Sequence, residues 1–459
     1  MIADLKPYAE YKESGLPWLG RVPGHWGQRR MKFLFAERVQ KGFPDEPLLA
    51  ATQSKGVVRK DDYGSRTVTA TKDFHLLKLV QQGDFVISLR SFEGGLEVAH
   101  CRGIISPAYT ILKPGREATE SYYTRFFKSP DFISSLTLFV TGIREGQNID
   151  YERLSRSYMP LPPVQEQIAI GRFLDWANGR LERAIRTKRK VIALLGEQKQ
   201  AIIHRAVTRG LDPSVPLKPS GIAWLGDIPR HWEVWRIKYL LREIDQRSVT
   251  GTEPLLSMRM HHGLVLFADH FSRPPQAATL VGFKIVRPGQ FVVNRMQAGN
   301  GVIFASTLTG MVSPDYAVFD PIGDANVDFL GELFRSRNVR AKFRAESKGL
   351  GTGTSGFLRL YNDRLGAIHV ALPPSEEQSA ILIGLKEELA EVNTAISRLE
   401  REIDLLREYR TRLVADVVTG KLDVREAALR LPDEAMPDSA EDDLDLNTDA
   451  DASDEEAAP

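Results

Sequence analysis

Histidine and aspartate side chains cluster at one place in this sequence. His261, His262 and His270 lie within ten residues of one another, and Asp269 lies between them. Imidazole and carboxylate groups at such positions could together bind zinc or another divalent ion. The spacing provides neither a cysteine pair nor a His-x-x-x-His element that would bring two ligands to one helix face. The sequence therefore predicts no metal site.

Other catalytic patterns are also missing. The Gly/Thr-rich run 349–356 resembles a phosphate-binding loop but lacks its Gly-Lys-Ser/Thr ending, so we interpret it as a mobile loop. A DNA methyltransferase would need a cofactor-binding strand, loop and helix, and an Asn/Asp-Pro-Pro-aromatic element. Here the Pro-Pro pairs follow leucines and open helices. A nuclease would need clustered carboxylates beside a lysine to hold a divalent ion. The sequence predicts a chain without catalytic residues.

Composition and charge suggest a protein of the cytoplasm that binds a polyanion. Cys101 is the only cysteine among 459 residues, and no apolar run is long enough to cross a membrane. Residues 431–459 contain twelve acidic and no basic residues. Because the whole chain carries +1, residues 1–430 carry +13. We predict a basic body, typical of nucleic-acid binding, and an acidic, disordered tail from 426. The tail either aids solubility or competes with a polyanion for binding to the basic body.

The most regular hydrophobic pattern covers residues 382–417 and predicts a long helix. Apolar residues recur every seven positions in two series offset by three, and Arg410 is the single exception among the eleven. Such a narrow seam is typical of a coiled coil, and the rod would be roughly 54 Å long. The partner-facing positions include the following residues: Leu389, Ile396, Leu399, Ile403 and Leu406.

A second copy of this helix lies 211 residues upstream. The same register places these residues on its seam: Leu174, Leu181, Ile185, Ile192 and Leu195. Each helix follows a Leu-Pro-Pro-x-x-Glu-Gln segment, at 161–167 and 372–378, which combines a proline with an acidic first turn. Glycine ends both helices, at Gly210 and Gly420. We predict that the two helices pair with each other as a coiled coil.

The segments before the helices are duplicated as well. Residues 14–35 and 220–241 are identical at eleven of twenty-two positions, including the Trp-Leu-Gly and His-Trp elements. Ser106-Pro107-x-Tyr109 returns as Ser313-Pro314-x-Tyr316. Short strands are predicted at 85–89, 103–112, 291–294 and 311–319, and short helices at 122–127 and 329–334, which makes the class α+β. The predicted organisation is domain 1–163, helix 164–210, domain 211–374, helix 375–425 and tail 426–459.

This arrangement resembles the specificity (S) subunit, HsdS, of type I restriction-modification systems. The motifs that carry the resemblance are the two Trp-Leu-Gly…His-Trp segments, the two Leu-Pro-Pro-x-x-Glu-Gln segments and the Val-Thr-Gly-Lys-Leu-Asp run at 418–423. Gly94-Gly95 followed by Ser106-Pro107-x-Tyr109 is similar to the target-recognition core of that family. The resemblance covers residues 8–426.

The resemblance implies two target recognition domains that each read one half of a split, asymmetric DNA sequence. The helices would pack antiparallel as a coiled coil. They would serve as the spacer between the domains and as the dock for two methyltransferase (M) subunits, which bring S-adenosylmethionine and methylate adenine. Restriction (R) subunits with ATP and Mg²⁺ would join for cleavage. The chain itself would have no cofactor. Two domains related by a pseudo-twofold axis would place the half-site centres about one helical turn of DNA apart.

For base and phosphate contacts we select polar and basic residues on predicted loops. In the first domain they are Ser54, Lys55, Arg59, Lys60 and Arg90, and in the second domain Arg259, His261, Arg295, Gln297 and Asn300. Arg90 and Arg295 follow predicted strands that would hold each guanidinium group rigidly for a guanine edge. His25 and His231 stand beside tryptophans in the repeated motif and are predicted to be packing and capping residues, not DNA contacts. Two alternatives stay open: a stand-alone DNA-binding regulator on the same scaffold, and a scaffold that binds only protein.

Overall fold

A computed structural model describes residues 5–53, 55–63, 73–141, 148–260, 262–271, 274–275, 277–350 and 357–432. Residues 351–356 of the Gly/Thr-rich run and the acidic residues from 433 onward lie outside these ranges. Within the described ranges, no helix is long and apolar enough to cross a membrane.

The chain forms two units, and each combines a globular domain with half of each long helix. Of the described residues, the first unit contains those from 5 to 188 and from 401 to 432, and the second contains those from 189 to 400. Helices α6 (Val164–Arg209) and α11 (Ser375–Val418) run through both units. The mixed helix-and-strand class and the packed pair of long helices agree with the α+β prediction.

The strands of the first unit form small antiparallel sheets. They are β1 Tyr11–Glu13, β2 Arg21–Pro23, β3 Gly27–Arg30, β4 Phe35–Glu37, β5 Leu49–Thr52, β6 Gly56–Arg59, β7 Lys78–Val80, β8 Phe85–Ile87, β9 Glu97–Val98, β10 Gly103–Ile105, β11 Thr110–Pro114, β12 Val140–Thr141, β13 Asn148–Ile149 and β14 Tyr158–Leu161. The central sheet has the order β4-β11-β8-β9.

The second unit repeats these strands in the same order. They are β15 Leu217–Pro219, β16 Asp227–Pro229, β17 Glu233–Arg236, β18 Leu241–Ile244, β19 Leu256–Arg259, β20 Gly263–Leu266, β21 Lys284–Val286, β22 Phe291–Val293, β23 Ile303–Ala305, β24 Gly310–Val312, β25 Ala317–Pro321, β26 Lys348–Leu350, β27 Phe357–Arg359 and β28 His369–Leu372. The central order is β18-β25-β22-β23. Every sheet of the first unit thus has a counterpart whose strand numbers are higher by fourteen, among the described residues.

The shorter helices of the first unit are α1 Met31–Leu34, α2 Ser91–Gly94, α3 Glu120–Phe126, α4 Pro130–Leu136 and α5 Tyr151–Ser155, and those of the second are α7 Phe267–His270, α8 Val327–Arg335, α9 Arg337–Glu346 and α10 Asn362–Ala367. Helices α3, α4 and α5 correspond to α8, α9 and α10, whereas the second unit has short 3₁₀ turns where the first has α1 and α2. Helix α12 (Arg425–Leu429) follows α11. In each unit two of these helices cover the central sheet. Phe85 meets Phe127 at 5.2 Å between ring centroids, and Phe291 meets Phe334 at 5.7 Å.

Two predicted strands are each broken by a turn. The prediction of one strand at 103–112 is wrong, because β10 ends at Ile105 and β11 begins at Thr110. The 311–319 strand is likewise divided into β24 and β25. Each turn contains a Ser-Pro pair, and the backbone N–H of Tyr109 closes the first turn by donating to the Ser106 carbonyl at 3.2 Å. Proline has no N–H for a sheet hydrogen bond, so it ends the strand.

Within each unit, α6 and α11 pack side by side in antiparallel directions. In the first unit, Glu182 pairs with Arg410, and Lys188 Nζ lies 2.5 Å from a Glu402 carboxylate oxygen. In the second unit, Arg205 pairs with Glu388 at 2.6 Å. Higher residue numbers in α6 meet lower numbers in α11, as the coiled-coil prediction requires.

The start of each long helix is fastened to the domain through the glutamate of the Leu-Pro-Pro-x-x-Glu-Gln segment. The Glu166 carboxylate accepts from Tyr8 Oη at 2.6 Å and from Trp26 Nε1 at 2.9 Å, and it lies 2.6 Å from His25 Nε2. Glu377 repeats the contacts with His231 at 2.6 Å and Trp232 at 3.1 Å. The two histidines therefore join the repeated His-Trp motif to the helices.

The first unit also holds the two ends of the described chain together. The Asp423 backbone N–H donates to the Lys6 carbonyl at 2.8 Å, in an antiparallel bridge. The Arg425 guanidinium group lies 5.1 Å from the centroid of the Tyr8 ring and pairs with Asp423 at 2.6 Å. In the second unit, Asp212, the aligned residue, is instead joined to Leu217 by continuous chain.

Candidate nucleic-acid interface

A loop follows the central strand β8 of the first domain and carries Arg90. Gly95 ends this loop with φ +78°, and a Cβ there would lie 2.0 Å from the Phe127 carbonyl oxygen. Only glycine combines this left-handed backbone with so close an approach. The loop is therefore fixed against the end of α3, and the Gly94-Gly95 pair noted in the sequence has a steric cause.

Arg90 is exposed at the start of this loop. Among the described residues, no hydrogen bond or ion pair engages its side chain. A guanidinium group with five free N–H donors on a fixed backbone is suited to a phosphate or to the guanine edge. This geometry agrees with the expectation for Arg90, and its contact with DNA stays a prediction.

The hairpin of β5 and β6 lies beside this loop, and Lys128 joins them. Its Nζ donates to the Gly94 carbonyl at 2.8 Å and to the Gln53 carbonyl at 3.2 Å, and it pairs with Glu97 at 2.5 Å. Burial raises the pKa of Glu97, and the Lys128 ammonium group opposes that shift. Sequence reasoning missed Lys128, because its role depends on three carbonyl and carboxylate groups that lie far away along the chain.

The hairpin brings the other first-domain candidates to the same surface. Lys55 and Arg59 are exposed, the first in the turn and the second at the end of β6. Lys60 is half-buried and already has an interaction partner. Ser54 lies outside the described residues. Lys55, Arg59 and Arg90 thus belong to two neighbouring elements joined through Lys128.

Arg295 occupies the corresponding loop of the second domain but is held differently. Its Nε donates to Asn362 Oδ1 at 3.2 Å, and a terminal nitrogen lies 2.9 Å from Glu243 Oε1. The side chain is only 16% exposed. Arg295 therefore does not present the free guanidinium group that we expected for a guanine edge, because an ion pair and a hydrogen bond within the domain already use it.

The remaining second-domain candidates are divided between a turn and a hairpin. Gln297 precedes the short 3₁₀ turn 298–300, and Asn300 Oδ1 accepts from Arg344 at 2.7 Å. Arg259 ends β19, with its guanidinium group 5.4 Å from the Phe271 ring centroid. His261 lies outside the described residues. The described part of the chain contains no group of three His, Cys, Asp or Glu residues placed to hold a metal ion.

Half of the predicted seam residues are buried and the other half are half-buried. Leu174, Leu181, Ile185, Leu389 and Ile403 are buried, whereas Ile192, Leu195, Ile396, Leu399 and Leu406 are half-buried. Two leucines outside the seam are strongly exposed: Leu194 at 64% and Leu405 at 57%. They stand 211 residues apart, so they occupy the same position in the two copies of the helix.

Comparison with known proteins identifies relatives by structure alone. No protein-family model and no curated protein matches the chain. A chain from a structure described as the basis of complex assembly and conformational transition of the type I R-M system aligns with 87% of this chain and 99% of its own. The identity is 16% and the TM-score is 0.55.

That TM-score, over nearly the full length of both chains, indicates a common fold. The chain has the fold of a type I specificity subunit. The resemblance drawn from the repeated motifs is thereby confirmed at the level of fold. The HsdS subunit from Thermoanaerobacter tengcongensis also aligns, over 89% of this chain and 100% of its own, with 15% identity and a TM-score of 0.45. The S subunit from M. genitalium aligns over 90% of this chain and 98% of its own, with 12% identity and a TM-score of 0.31.

Proposed function

We propose that this chain is the DNA-specificity subunit of a type I restriction-modification system and binds a bipartite, asymmetric duplex target, one half-site per domain. The observation that carries the proposal is the complete repetition of one strand topology with different side chains on its loops. Among the described residues, Arg90 has no side-chain partner, whereas Arg295 in the corresponding loop is paired with Glu243. A repeated scaffold with two different surfaces is suited to two unlike half-sites.

The two long helices expose the same residue type at equivalent positions, which supports docking of two copies of one partner. Leu194 and Leu405 are exposed at the same position of the two helices. Exposed apolar residues at repeated positions are suited to two copies of one partner. We propose that two methyltransferase (M) subunits bind there and that restriction (R) subunits join the resulting complex.

In this proposal the chain performs no bond-making or bond-breaking step. S-adenosylmethionine, ATP and Mg²⁺ belong to the partner subunits, and this chain contributes base readout and position. It selects the target adenine by holding a methyltransferase subunit at a fixed place relative to each half-site. Rigid loops, such as the one fixed by Gly95, reduce the entropy lost when side chains meet the bases.

Co-expression with a candidate methyltransferase subunit tests the proposal. We expect a complex that retains two M subunits and methylates adenine at one split sequence, as read by methylation-site sequencing. Leu194→Asp and Leu405→Asp should each remove one M subunit, as measured by the mass of the complex. Arg401→Ala, at an exposed position on α11, is the matched control and should keep both.

The alternatives give different outcomes in this experiment. Sequence-specific DNA binding by the chain without any M subunit in the complex would favour a stand-alone regulator on the same scaffold. If neither the chain alone nor its complex bound DNA while protein partners were still bound, a scaffold that binds only protein would be favoured.

A further inference from the structure

Helix α9 of the second domain carries a concentration of positive charge that its counterpart lacks. Residues 335–348 include six basic residues and one acidic residue, whereas the aligned residues 128–141 include one of each. The helices are true counterparts, because α4 and α9 each begin directly after a buried serine, Ser129 and Ser336. The two helices therefore hold equivalent places in the two units but differ in charge.

Three of the basic residues form a stripe on one face of α9. Arg337, Arg340 and Arg344 are spaced three and four residues apart, which places them on the same side of a helix. Two further basic residues have acidic partners. Lys342 on the helix pairs with Glu346 at 2.5 Å, and Arg335, which precedes the helix, pairs with Glu332 at 2.6 Å.

Within the described ranges, no carboxylate pairs with the stripe. Arg344 donates to the neutral amide of Asn300, and no ion pair engages Arg337 or Arg340. Burial and the neighbouring Arg344 charge lower the pKa of Arg340. Arg337 and Arg340 also line an open groove of about 840 Å³ beside α6. Glu197 of α6 lines the same groove but forms no ion pair with them among the described residues. Three like charges beside a single carboxylate keep a net positive charge, which favours an external anion.

The stripe is continuous with the loop that carries predicted base-reading residues. A Cβ at Gly299 would lie 3.0 Å from Arg344 Cβ, and a Cβ at Gly301 would lie 3.1 Å from Arg340 Nε. The two glycines let α9 lie directly against the turn 298–300. Because Asn300 belongs to that turn and accepts from Arg344, the loop and the stripe form one surface.

We propose that Arg337, Arg340 and Arg344 bind the DNA phosphate backbone beside the second half-site, with no equivalent contact beside the first. This inference rests on the proposed function. A protein partner that binds both copies would meet the same side chains twice, but the aligned residues are Pro130 and Ile133 in α4 and Thr137 directly after it. A surface present in one copy only is suited to DNA, because the two half-sites can be held unequally.

The salt dependence of DNA binding tests the stripe directly. Each phosphate neutralised contributes about 0.9 to the slope of log affinity against log salt concentration. We expect Arg337→Gln, Arg340→Gln and Arg344→Gln together to reduce that slope for the full-length chain by about 2 to 3. The matched control removes the same charge elsewhere in the second unit, through Arg230→Gln, Lys238→Gln and Arg287→Gln, and should leave the slope nearly unchanged.

A gain-of-charge variant keeps the test decisive if the triple variant folds poorly. Ile133→Arg with Thr137→Arg places two cations at the aligned positions, and we expect it to raise the slope by up to about 2. Circular dichroism checks that each variant is folded.

The outcomes separate the inference from the proposed function. Failure of the wild-type chain and its M complex to bind duplex DNA would contradict the proposed function itself. If the wild type binds but the stripe and control variants have equal slopes, net charge explains the effect and the inference is wrong. Loss of the M subunit from the stripe variant with an unchanged slope would instead identify a protein-binding surface, which also overturns the inference.

Discussion

Glu166 connects three side chains that lie 140 or more residues away in the sequence. Its side chain is almost fully buried, whereas that of Glu377 is 29% exposed and accepts from only His231 and Trp232. Removing a buried charged acceptor leaves several donors without a partner, and each unsatisfied donor costs about 1–3 kcal/mol. The two glutamates of the repeated motif therefore differ in their contribution to stability.

We expect Glu166→Ala to destabilise the first domain by about 2–4 kcal/mol, and Glu377→Ala to destabilise the second by about half as much. Urea denaturation followed by tryptophan fluorescence measures both. Glu166→Gln keeps an acceptor oxygen and should recover part of the loss. Equal effects of the two alanine variants would show that burial does not set the strength of this contact.

Arg90 and Arg295 make a second contrast at the residue scale. We expect Arg90→Ala to weaken DNA binding by about 1–3 kcal/mol without changing stability, because nothing in the described domain holds its guanidinium group. Arg295→Ala should lower stability instead, because it removes the hydrogen bond to the half-buried Asn362 and the shorter of the two ion pairs of Glu243, which keeps a 3.8 Å pair with Lys284. Fluorescence anisotropy and thermal unfolding separate the two effects, and the reverse pattern would contradict the assignment.

The sequence placed both arginines correctly after their strands but could not separate their roles. Strand ends can be predicted because apolar runs stop at polar or glycine residues. The partners of Arg295 lie 52 and 67 residues away, and only the folded domain brings them together. Lys128 was missed for the same reason. Local sequence patterns indicate which element carries a side chain. They do not indicate which distant residues bind that side chain in the folded domain.

At the scale of elements, the heptad pattern predicted the two helices and their pairing, and the resemblance implied the antiparallel direction. The pattern did not predict how deeply each seam residue is buried, because burial depends on the side chains that the fold packs around each position. Leu399 occupies a central seam position yet is half-buried, whereas Ile403 is only 5% exposed. The broken strands at 103–112 and 311–319 show a second limit of prediction from sequence. Each hydrophobic run was read as one strand, although a Ser-Pro turn divides it into two.

Ile403 is therefore a sharper test of the helix pair than Leu399. We expect Ile403→Asp to cost several kcal/mol, because it buries a charge without a partner, and to cause loss of M subunits or of a soluble fold. Leu399→Asp should cost less, and Arg401→Ala on the outer face should have little effect. The mass of the complex and the unfolding midpoint are measured for all three. A harmless Ile403→Asp would refute the packed seam.

At the scale of the whole molecule, the two units have separate cores. The first unit buries a cluster around Phe35, Phe85 and Phe127, and the second buries its own around Phe291 and Phe334. Each domain should therefore fold and recognise DNA independently of the other.

Replacing residues 27–150 with the corresponding domain of a relative should change one half of the recognised sequence only. Residues 233–361 stay untouched, so the other half should remain fixed, and the unchanged helices should preserve the spacing. Methylation-site sequencing of cells carrying each variant measures both. A swap that alters both half-sites together would show that recognition is a joint property of the chain.

The pairing of Lys6 with Asp423 has a consequence for chain order. Both residues align with Asp212, where the second unit has continuous chain through Leu217. Linking residue 432 to residue 5 with a short Gly/Ser segment, and opening the chain between Asp212 and Leu217, should give a permuted protein with the same folded contacts. We expect it to recognise the same two half-sites, and an unfolded product would contradict this. Such a protein would begin with the present second domain, so which domain comes first would depend on where the chain is cut and not on the fold.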